Sequence, residues 1–527
     1  MARVTVIGAG LAGLSAARTL AEGGLEVILV SPLGSERAQS VMAEGGINAA
    51  LDVMGEDDSV FEHYQDTLKA GCHLADPNAV WGLCSDAPAI VHDLAVLGVP
   101  FQREQRRMVQ RNFGGQRKKR TAFAKSSTGK VLMTALIDRV RLLEAKGLVT
   151  RLSHHELAGL TLAGEVCVGC VVRDTWGGGT FDLIGPVVLA TGGLSGIFGP
   201  RTTGTTTNTG DVCALALKAG VAASNLEFIQ YHPTTVAIAD KRLLVSEAAR
   251  GEGGLLYTIR DNKRVYFMED RYGRHGNLMP RDVVSREEYY VMHDGSCSGQ
   301  VFLDLTNLDE SVWAGRLSDL RQEILDYLSI DPMEESVPVE PGIHYSMGGI
   351  DVDEGHRTNV CGLYAAGECC SAYHGANRLG GNSLLGAIYG GRVAARTILS
   401  EVIHQPSGPV QTIWADAPLR PSDERLLGDV LFGSLGIVRE HTELEQGLED
   451  LEEVAPGMRR TLGQAMILSA LARKESRGAH TRSDYPKTSE AYRATTVCHL
   501  TEGIPTIEMR PIAERRSEVP PVQGSLS

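Results

Sequence analysis

The chain has 527 residues, of which 43% are hydrophobic and 22% charged, a composition typical of a large globular protein. Its formal net charge of −14 argues against nucleic acid as the main partner, because phosphate binding needs a basic surface. No apolar run reaches about 18 residues, so no insertion into a membrane is expected. The ten cysteines are scattered, which favours reduced thiols in the cytoplasm and predicts no metal site.

The first thirty residues predict a β-α-β unit. Residues 4–7 form a short apolar run typical of a buried strand, residues 14–21 carry apolar side chains at helical spacing, and residues 25–30 form a second apolar run. Strands that alternate with helices favour a parallel sheet, so the expected fold class is α/β with a Rossmann-like nucleotide-binding domain.

A glycine pattern, GxGxxG, lies between the first strand and its helix. The first glycine, Gly8, allows a tight turn, Gly10 lets the backbone approach a pyrophosphate, and Gly13 lets helix and strand pack closely. The pyrophosphate is expected beside Leu11 and Ala12, because the unpaired N–H groups of a helix N-terminus favour negative charge. The pattern therefore predicts a dinucleotide site.

Later residues favour a flavin dinucleotide over NAD. The second strand ends at Ser31 rather than at an acidic residue, although a serine hydroxyl can still bind a ribose. A further apolar run leads into Thr191 and Gly192, and Asp211 follows another glycine. FAD needs contacts along its whole length, so several scattered glycine-rich turns indicate FAD.

The glycine-rich turns occur at both ends of the chain, with a segment lacking them in between. This pattern predicts a FAD-binding domain in two parts, an inserted domain, a helical domain and a tail. The expected bounds are 1–233 and 344–412 for the FAD-binding domain, 234–343 for the insertion, 413–490 for the helical domain and 491–527 for the C-terminal tail.

Six motifs identify a family. They are FIQYHPT at 228–234, SEAARGEGG at 246–254, PRDVV at 280–284, HYSMGGI at 344–350, HGANRLGGNSLL at 374–385 and ARKESRGAH at 472–480. Together they resemble the flavoprotein subunits of succinate dehydrogenase and fumarate reductase, with L-aspartate oxidase as the nearest relative. The resemblance implies FAD, a mobile capping domain, a C4 dicarboxylate substrate and an iron–sulfur protein subunit that can connect the protein peripherally to the cytoplasmic membrane through an anchor.

The resemblance also assigns a dicarboxylate-binding set. His232, Ser246, His344 and Arg378 match the carboxylate-binding positions, and the fork of an arginine suits a carboxylate. Family members commonly have Thr where this chain has Ser246, so the hydroxyl is retained. In the same way, the proton donor is expected at one further position, Arg281.

A proton relay is implied behind Arg281 by Glu247 and Arg250. An arginine acid is unusual, because its pKa is about 12.5 or more, and it needs rapid reprotonation from Glu247. The alternative is that Arg281 only pairs with Asp282 or with the substrate.

The expected FAD contacts extend from the first turn to the late glycine block. They are Gly8, Gly10, Leu11, Ala12, Gly13, Ser31, Ser40, Gly45, Gly46, Thr191, Gly192, Asp211, Glu368, Asn382, Ser383 and Leu384. Membrane-bound relatives carry a histidine that bonds covalently to the flavin, and Gln39 stands at that position. The expectation is non-covalent FAD and, because the covalent bond raises the flavin potential, a preference for fumarate reduction.

Two alternatives remain at this point. L-Aspartate oxidase typically has Glu where this chain has Phe113, and a phenyl ring cannot pair with a substrate ammonium; Met347 also favours the dehydrogenase branch. The second alternative, from another class, is a flavin-dependent RNA-binding or RNA-modifying protein, suggested by the basic residues 117–120.

Overall fold

A parallel sheet forms the centre of the first domain in the computed structural model, which describes residues 3–125, 127–239, 241–315, 317–401 and 408–521. Its five strands lie in the order Leu363–Ala365, Val187–Leu189, Arg3–Ile7, Glu26–Ser31 and Val149–Ser153. Both faces of the sheet are buried, since Val27 and Leu29 belong to one hydrophobic core whereas Ile28 and Val30 belong to another. The α/β prediction is confirmed.

Three further sheets within the described ranges have four or more strands. The first has its strands in the order Thr180–Ile184, Val166–Asp174, His155–Ala163 and Val410–Trp414. The second has the order Cys370–Ser371, Gly349–Asp351, Ala223–Ser224, Ala494–Thr501 and Ile504–Pro511. The third has the order Lys241–Leu244, Ile229–Ile238, Val337–Ser346, Cys297–Asp304, Leu255–Arg260 and Lys263–Val265. A small three-stranded sheet has the order Ile47–Asn48, Thr121–Ala122 and Gln110–Arg111. Two further pairs of short strands are Arg103–Glu104 with Arg107–Met108, and Val438–Arg439 with Thr481–Arg482.

Helices surround these sheets. The α-helices are Leu11–Glu22, Val60–Ala70, Pro77–Val96, Thr128–Glu144, Asp211–Lys218, Ala248–Gly251, Phe267–Tyr272, Arg281–Met292, Glu310–Ala314, Ser318–Leu328, Asn382–Ser400, Pro421–Ser434, His441–Asp450 and Met458–Ala472. Across the described ranges, no helix combines the length and apolarity that crossing a bilayer requires.

The middle segment has a hydrophobic core of its own. Its buried members, from Val245 to Val339, include Leu256, Val301 and Ile324, and all lie between residues 245 and 339. The chain enters this segment along the strand Ile229–Ile238 and leaves it along the strand Val337–Ser346. These two strands pair with each other. We call the segment 234–343 the capping segment.

The C-terminal helices pack on the second face of the parallel sheet. Leu427, Leu431 and Leu462 share one core with Ile28 and Val30. Beyond the helices, residues assigned from sequence to a tail form a hairpin that pairs with the short strand Ala223–Ser224. The last six residues of that tail, 522–527, lie outside the described residues.

Candidate active site

One continuous cavity of about 920 Å³ runs from the carboxyl ends of the parallel strands to the capping segment. This volume lies within the range of roughly 300–1,000 Å³ that is usual for cofactor and ligand sites. Most of the predicted cofactor residues line it. They are Gly8, Gly10, Leu11, Ala12, Ser31, Ser40, Gly45, Gly46, Thr191, Gly192, Asp211, Glu368, Ser383 and Leu384. Gly13 and Asn382 are not among the lining residues.

Two glycines of the first turn are required by close backbone contacts. At Gly8, which has a φ of +109°, an added Cβ would lie 2.1 Å from the carbonyl oxygen of Ala190. At Gly13 it would lie 1.8 Å from the carbonyl oxygen of Gly8, so Gly13 packs the helix against the turn instead of facing the cavity. The residue before the helix Leu11–Glu22 is Gly10, which has no side chain to cap it, and Leu11 N donates a hydrogen bond to Ser40 Oγ over 3.3 Å. This weakly capped N-terminus suits a pyrophosphate.

The remaining cofactor positions have distinct partners. Ser31 Oγ donates a hydrogen bond to the carbonyl oxygen of Leu33 at 2.6 Å and keeps acceptor capacity for a ribose hydroxyl. Asp211 pairs with Arg459 at 2.6 Å near the far end of the cavity. Burial raises the pKa of Glu368 to about 7. Glu368 can therefore donate or accept a hydrogen bond near neutral pH.

Asn382 acts behind the cavity wall. Its side-chain oxygen lies 2.7 Å from Asn48 Nδ2 and 3.0 Å from His63 Nε2, and its amide donates to Thr67 Oγ1 at 3.0 Å. These buried bonds fix the start of the helix Asn382–Ser400 against the preceding turns. Asn382 thus positions the glycine-rich block and does not itself line the cavity.

The substrate end of the cavity contains two imidazole rings. His344 is an extra residue on the strand Val337–Ser346, facing no residue on the strand Ile229–Ile238, which carries His232. Such bulges re-aim side chains and occur often beside active sites. The ring centroids of His232 and His344 are 5.2 Å apart. Desolvation and the charge of Arg281 lower the pKa of both rings well below the usual value, so both are neutral at pH 7.

Arg281 and Glu247 form a buried pair beside these rings. Nε and Nη2 of Arg281 donate to Glu247 Oε2 at 2.8 and 2.7 Å, and Gly114 N donates to the other oxygen at 2.7 Å. Burial acts to raise the pKa of Glu247, but the guanidinium groups of Arg281 and Arg250 outweigh it and hold this pKa below its usual value. Glu247 is therefore ionised.

Arg378 lies on the other side of the same space. Its Nη2 donates to Gln230 Oε1 at 2.8 Å, and Arg281 Nη1 donates to the same oxygen at 3.2 Å. The guanidinium group also stands 4.3 Å above the ring of Tyr345. Burial, together with the charge of Arg281, lowers the pKa of Arg378 to about 9. A nearby anion would stabilise the charged form of Arg378.

Comparisons with known proteins agree with this geometry. Residues 3–384 match the FAD binding domain family, and residues 458–526 match the fumarate reductase flavoprotein C-terminal family. The Bacillus subtilis succinate dehydrogenase flavoprotein subunit is 34% identical, covering 92% of each chain. The chain belongs to the succinate dehydrogenase and fumarate reductase flavoprotein family. It is an FAD-binding oxidoreductase of the class that acts on CH–CH groups.

Two other relatives define the breadth of this family. An L-aspartate oxidase from Pyrococcus furiosus is 34% identical, covering 94% of this chain and 98% of the oxidase. A solved mutant of E. coli quinol fumarate reductase FrdA superposes with a TM-score of 0.87 at 26% identity, covering 99% of each chain. The family is thus certain, whereas identity alone does not separate its dehydrogenase and oxidase branches.

The other predicted site residues differ in position. Ser246 and Phe113 both line the cavity, and the Phe113 ring packs against Gly45 and Gly380. Arg250 does not line the cavity: it is buried behind Glu247. The structure thus brings the predicted substrate-binding residues together at one end of the cavity, and Arg250 does not line it.

Two lining or bridging residues were missed from the sequence. Gln230 joins Arg281 to Arg378, and its own amide donates to Asn377 Oδ1 at 2.7 Å. Its place two residues before His232 on a strand was the signal that could have indicated it, because alternate residues share a face. Glu44 lines the cavity near Ser246, and burial raises its pKa well above the usual value.

Three of the basic residues 117–120 pair with acidic side chains, and Lys118 donates to the backbone carbonyl of Glu56. Arg117 contacts Asp66 at 2.5 Å, and Arg120 is fully buried and contacts Asp58 at 2.9 Å and Asp66 at 3.0 Å. Lys119 lies 3.4 Å from Glu56. This stretch is therefore part of an ion-pair cluster that is anchored by the buried Arg120, and it no longer favours an RNA-binding function.

Proposed function

We propose that this protein interconverts fumarate and succinate with bound FAD and works mainly in the direction of fumarate reduction. The observation that carries the proposal is the charge at the substrate end. Three buried guanidinium groups, those of Arg281, Arg378 and Arg250, face one ionised carboxylate, Glu247. Two positive charges are left over, which fits a dianion. Buried charges need such compensation.

The geometry supports separate roles for the two ends of the substrate. His344, His232 and Ser246 offer neutral polar groups, while Arg378 offers a charged fork for a carboxylate. Gln230 fixes the distance between Arg378 and Arg281 by accepting from both. When bound, FAD supplies the hydride for one alkene carbon. The residues named here hold the dicarboxylate beside it.

Arg281 is the proposed proton donor to the neighbouring carbon. Its guanidinium group keeps two bonds to Glu247 and one to Gln230, so its orientation is set by three contacts. Glu247, held ionised, accepts a proton from Arg250 and passes it to Arg281 after each turnover. This order lets Arg281 remain charged in the resting protein.

L-Aspartate oxidase is the second candidate, because relatives with that name match almost the whole chain. Phe113 opposes it: the ring occupies the wall beside Gly45, where it offers no negative charge to a substrate ammonium. We expect protein supplied with reduced viologen dye to reduce fumarate and to leave L-aspartate unconsumed. Peroxide release with aspartate that exceeds the rate of fumarate reduction would refute the assignment.

We further propose that the FAD is not covalently attached. Gln39 Oε1 accepts a hydrogen bond from Thr205 N at 2.7 Å beside the cavity, and a carboxamide cannot form the family's histidyl bond. Acid precipitation should release yellow flavin into the supernatant, with no fluorescent protein band on a denaturing gel. Flavin that stays with the pellet contradicts this linkage. Separately, succinate oxidation as fast as fumarate reduction contradicts the preferred direction.

An iron–sulfur protein is the proposed electron partner. Several relatives are named as subunits, including the Bacillus subtilis protein, which supports a multi-subunit assembly. Through that partner and a membrane anchor, the protein would lie at the cytoplasmic face of the membrane. Isolation of the native protein from membranes, followed by iron analysis of the co-purified chains, tests this; a native protein that carries no iron–sulfur partner contradicts it.

A further inference from the structure

Gln230 is a buried carboxamide in which every hydrogen-bonding position is used. Its Oε1 accepts from Arg378 Nη2 at 2.8 Å and from Arg281 Nη1 at 3.2 Å. Its Nε2 donates to Asn377 Oδ1 at 2.7 Å and to the carbonyl oxygen of Arg378 at 2.9 Å. The side chain is fully buried, and two donors and two acceptor sites are all that a carboxamide offers. Gln230 is therefore held in one orientation.

Asn377 connects this carboxamide to the capping segment. Its Nδ2 donates to Asp282 Oδ1 at 2.8 Å, and Asp282 lies in the first turn of the helix Arg281–Met292. We call Gln230 and Asn377 the carboxamide bridge. Both side chains are buried, and neither they nor Asp282 belong to the residues that line the cavity. Any effect of the bridge on a bound substrate must therefore pass through other side chains.

The direction of each hydrogen bond in the bridge is determined by the arginines. An arginine side chain only donates, so Gln230 must turn its oxygen to Arg281 and Arg378 and its nitrogen to Asn377. Asn377 then accepts with its oxygen, which leaves its nitrogen for Asp282. A reversed amide at Gln230 would present N–H groups to two guanidinium groups. The bridge thus has a single polarity.

Two separate hydrophobic cores carry the arginines that the bridge joins. Arg281 begins a helix whose Val284 packs in the core of the capping segment. Arg378 precedes the helix Asn382–Ser400, whose Leu385 packs in the core on one face of the parallel sheet. Within the described ranges these two cores share no member, so apolar packing inside either core does not fix one guanidinium group relative to the other. Polar contacts between the two parts must set that distance.

We propose that Gln230 and Asn377 are positioning residues, which hold Arg281, the proton donor on the capping segment, at a set place beside the carboxylate-binding Arg378. The inference rests on the proposed fumarate reduction, in which these two arginines contact the substrate. The bridge acts through the two arginines and through Asp282. Its effect on the rate can be large, because a misplacement of about 1 Å between reacting groups can cost about 100-fold.

The test exploits the polarity of the bridge. Asn377→Asp keeps an acceptor for Gln230 but points a second carboxylate at Asp282, so the contact with the capping segment is lost. We expect kcat for fumarate to fall roughly 10- to 100-fold. KM should stay within about threefold, because Gln230 still bonds to Arg378.

A substitution at Asp282 should rescue this loss. Asp282→Asn alone should keep kcat within about threefold of wild type, because the new amide can present its oxygen to Asn377. In the double variant Asn377→Asp/Asp282→Asn the same amide can turn its nitrogen to the new carboxylate. The bond is then restored with reversed direction and unchanged net charge, and most of kcat should return. A general loss of stability would not be rescued in this way.

Asn78→Asp is the matched control. Asn78 is also buried, donates to the carbonyl oxygen of Glu514 at 3.0 Å and accepts from Arg516 N at 2.9 Å. It does not line the cavity. Asn78→Asp loses one donated bond in the same way and should keep the wild-type kcat, which separates the effect of the bridge from that of a lost buried hydrogen bond.

Hydrogen exchange gives a measurement that needs no substrate. In the resting protein, backbone amides of the helix Arg281–Met292 should exchange faster in Asn377→Asp than in wild type, because the helix has lost a contact that holds it to the rest of the chain. The double variant should return to the wild-type exchange rate, and Asn78→Asp should leave the exchange of this helix unchanged.

The proposal fails if Asn377→Asp keeps the wild-type kcat or the wild-type exchange, if the double variant is as impaired as Asn377→Asp, or if Asn78→Asp lowers kcat as much. Should Asn377→Asp not fold, Asp282→Ala removes the same bond from the capping side, and wild-type kcat or exchange in that variant overturns the proposal. Wild-type protein that does not reduce fumarate refutes the proposed function instead, and the exchange rates still decide whether the bridge holds the helix.

Discussion

Replacement of Arg378 tests the dicarboxylate site most directly. Arg378 is almost fully buried, and its charge is destabilised in the free protein, where its pKa falls to about 9. A substrate carboxylate would supply the missing partner. Truncating one member of a buried, hydrogen-bonded charge pair costs about 2–5 kcal/mol of binding free energy. At 1.4 kcal/mol per decade this corresponds to a roughly 30- to 4,000-fold weaker inhibition constant for malonate.

The variant Arg378→Gln separates charge from hydrogen bonding, because glutamine can still donate to Gln230. Arg271→Gln serves as control, since Arg271 lies on the capping segment with 57% of its side chain exposed and does not line the cavity. Malonate binding is measured by competition with fumarate and by the change in absorbance of the bound flavin. An inhibition constant within threefold of wild type, with normal flavin content, would refute the reasoning.

The same site predicts a pH dependence with a defined sign. Binding of a dianion requires charged Arg378, and bound ligand raises the pKa of that group above its free value of about 9. Affinity is therefore full below pH 9 and decreases as pH rises above it, by about one decade per unit. Malonate affinity that increases between pH 8 and pH 10 contradicts this assignment of the charge.

Two further substitutions test the proton path and the cofactor turn. Arg281→Lys should lose nearly all turnover but keep FAD, because lysine cannot reproduce the two bonds to Glu247; full activity would remove Arg281 from the donor role. Gly13→Ala should abolish FAD binding or folding, since its Cβ would lie 1.8 Å from a carbonyl oxygen, whereas Gly433→Ala meets no atom within 4 Å and should be tolerated. Flavin content and thermal denaturation distinguish the two glycine variants, and equal behaviour would count against the packing argument.

The first half of the site was predictable because its signals are local. The glycine pattern at residues 8–13 specifies a turn and a helix start within one short stretch, and the structure begins that helix at Leu11. Apolar periodicity placed it three residues later, at residue 14. Leu11 and Ala12 line the cavity at this point, so the start of the helix follows the glycine turn and not the hydrophobic spacing.

The second half was less predictable because it depends on pairing between distant segments. The bulge at His344 arises from the register between two strands more than 100 residues apart, and no local pattern encodes it. The carboxyl-binding roles themselves came from family motifs.

The paired strands Ile229–Ile238 and Val337–Ser346 make the protein modular. His232 pairs with Gly342, so the chain leaves the nucleotide-binding framework and returns to it at adjacent points. Insertions of this kind are tolerated because the host fold does not depend on what lies between such neighbouring ends. A short turn in place of residues 239–336 would keep both histidines beside the cavity and delete Arg281 and Glu247 together. The glycine-rich end of the cavity and the proposed proton donor thus lie on separable pieces of one polypeptide.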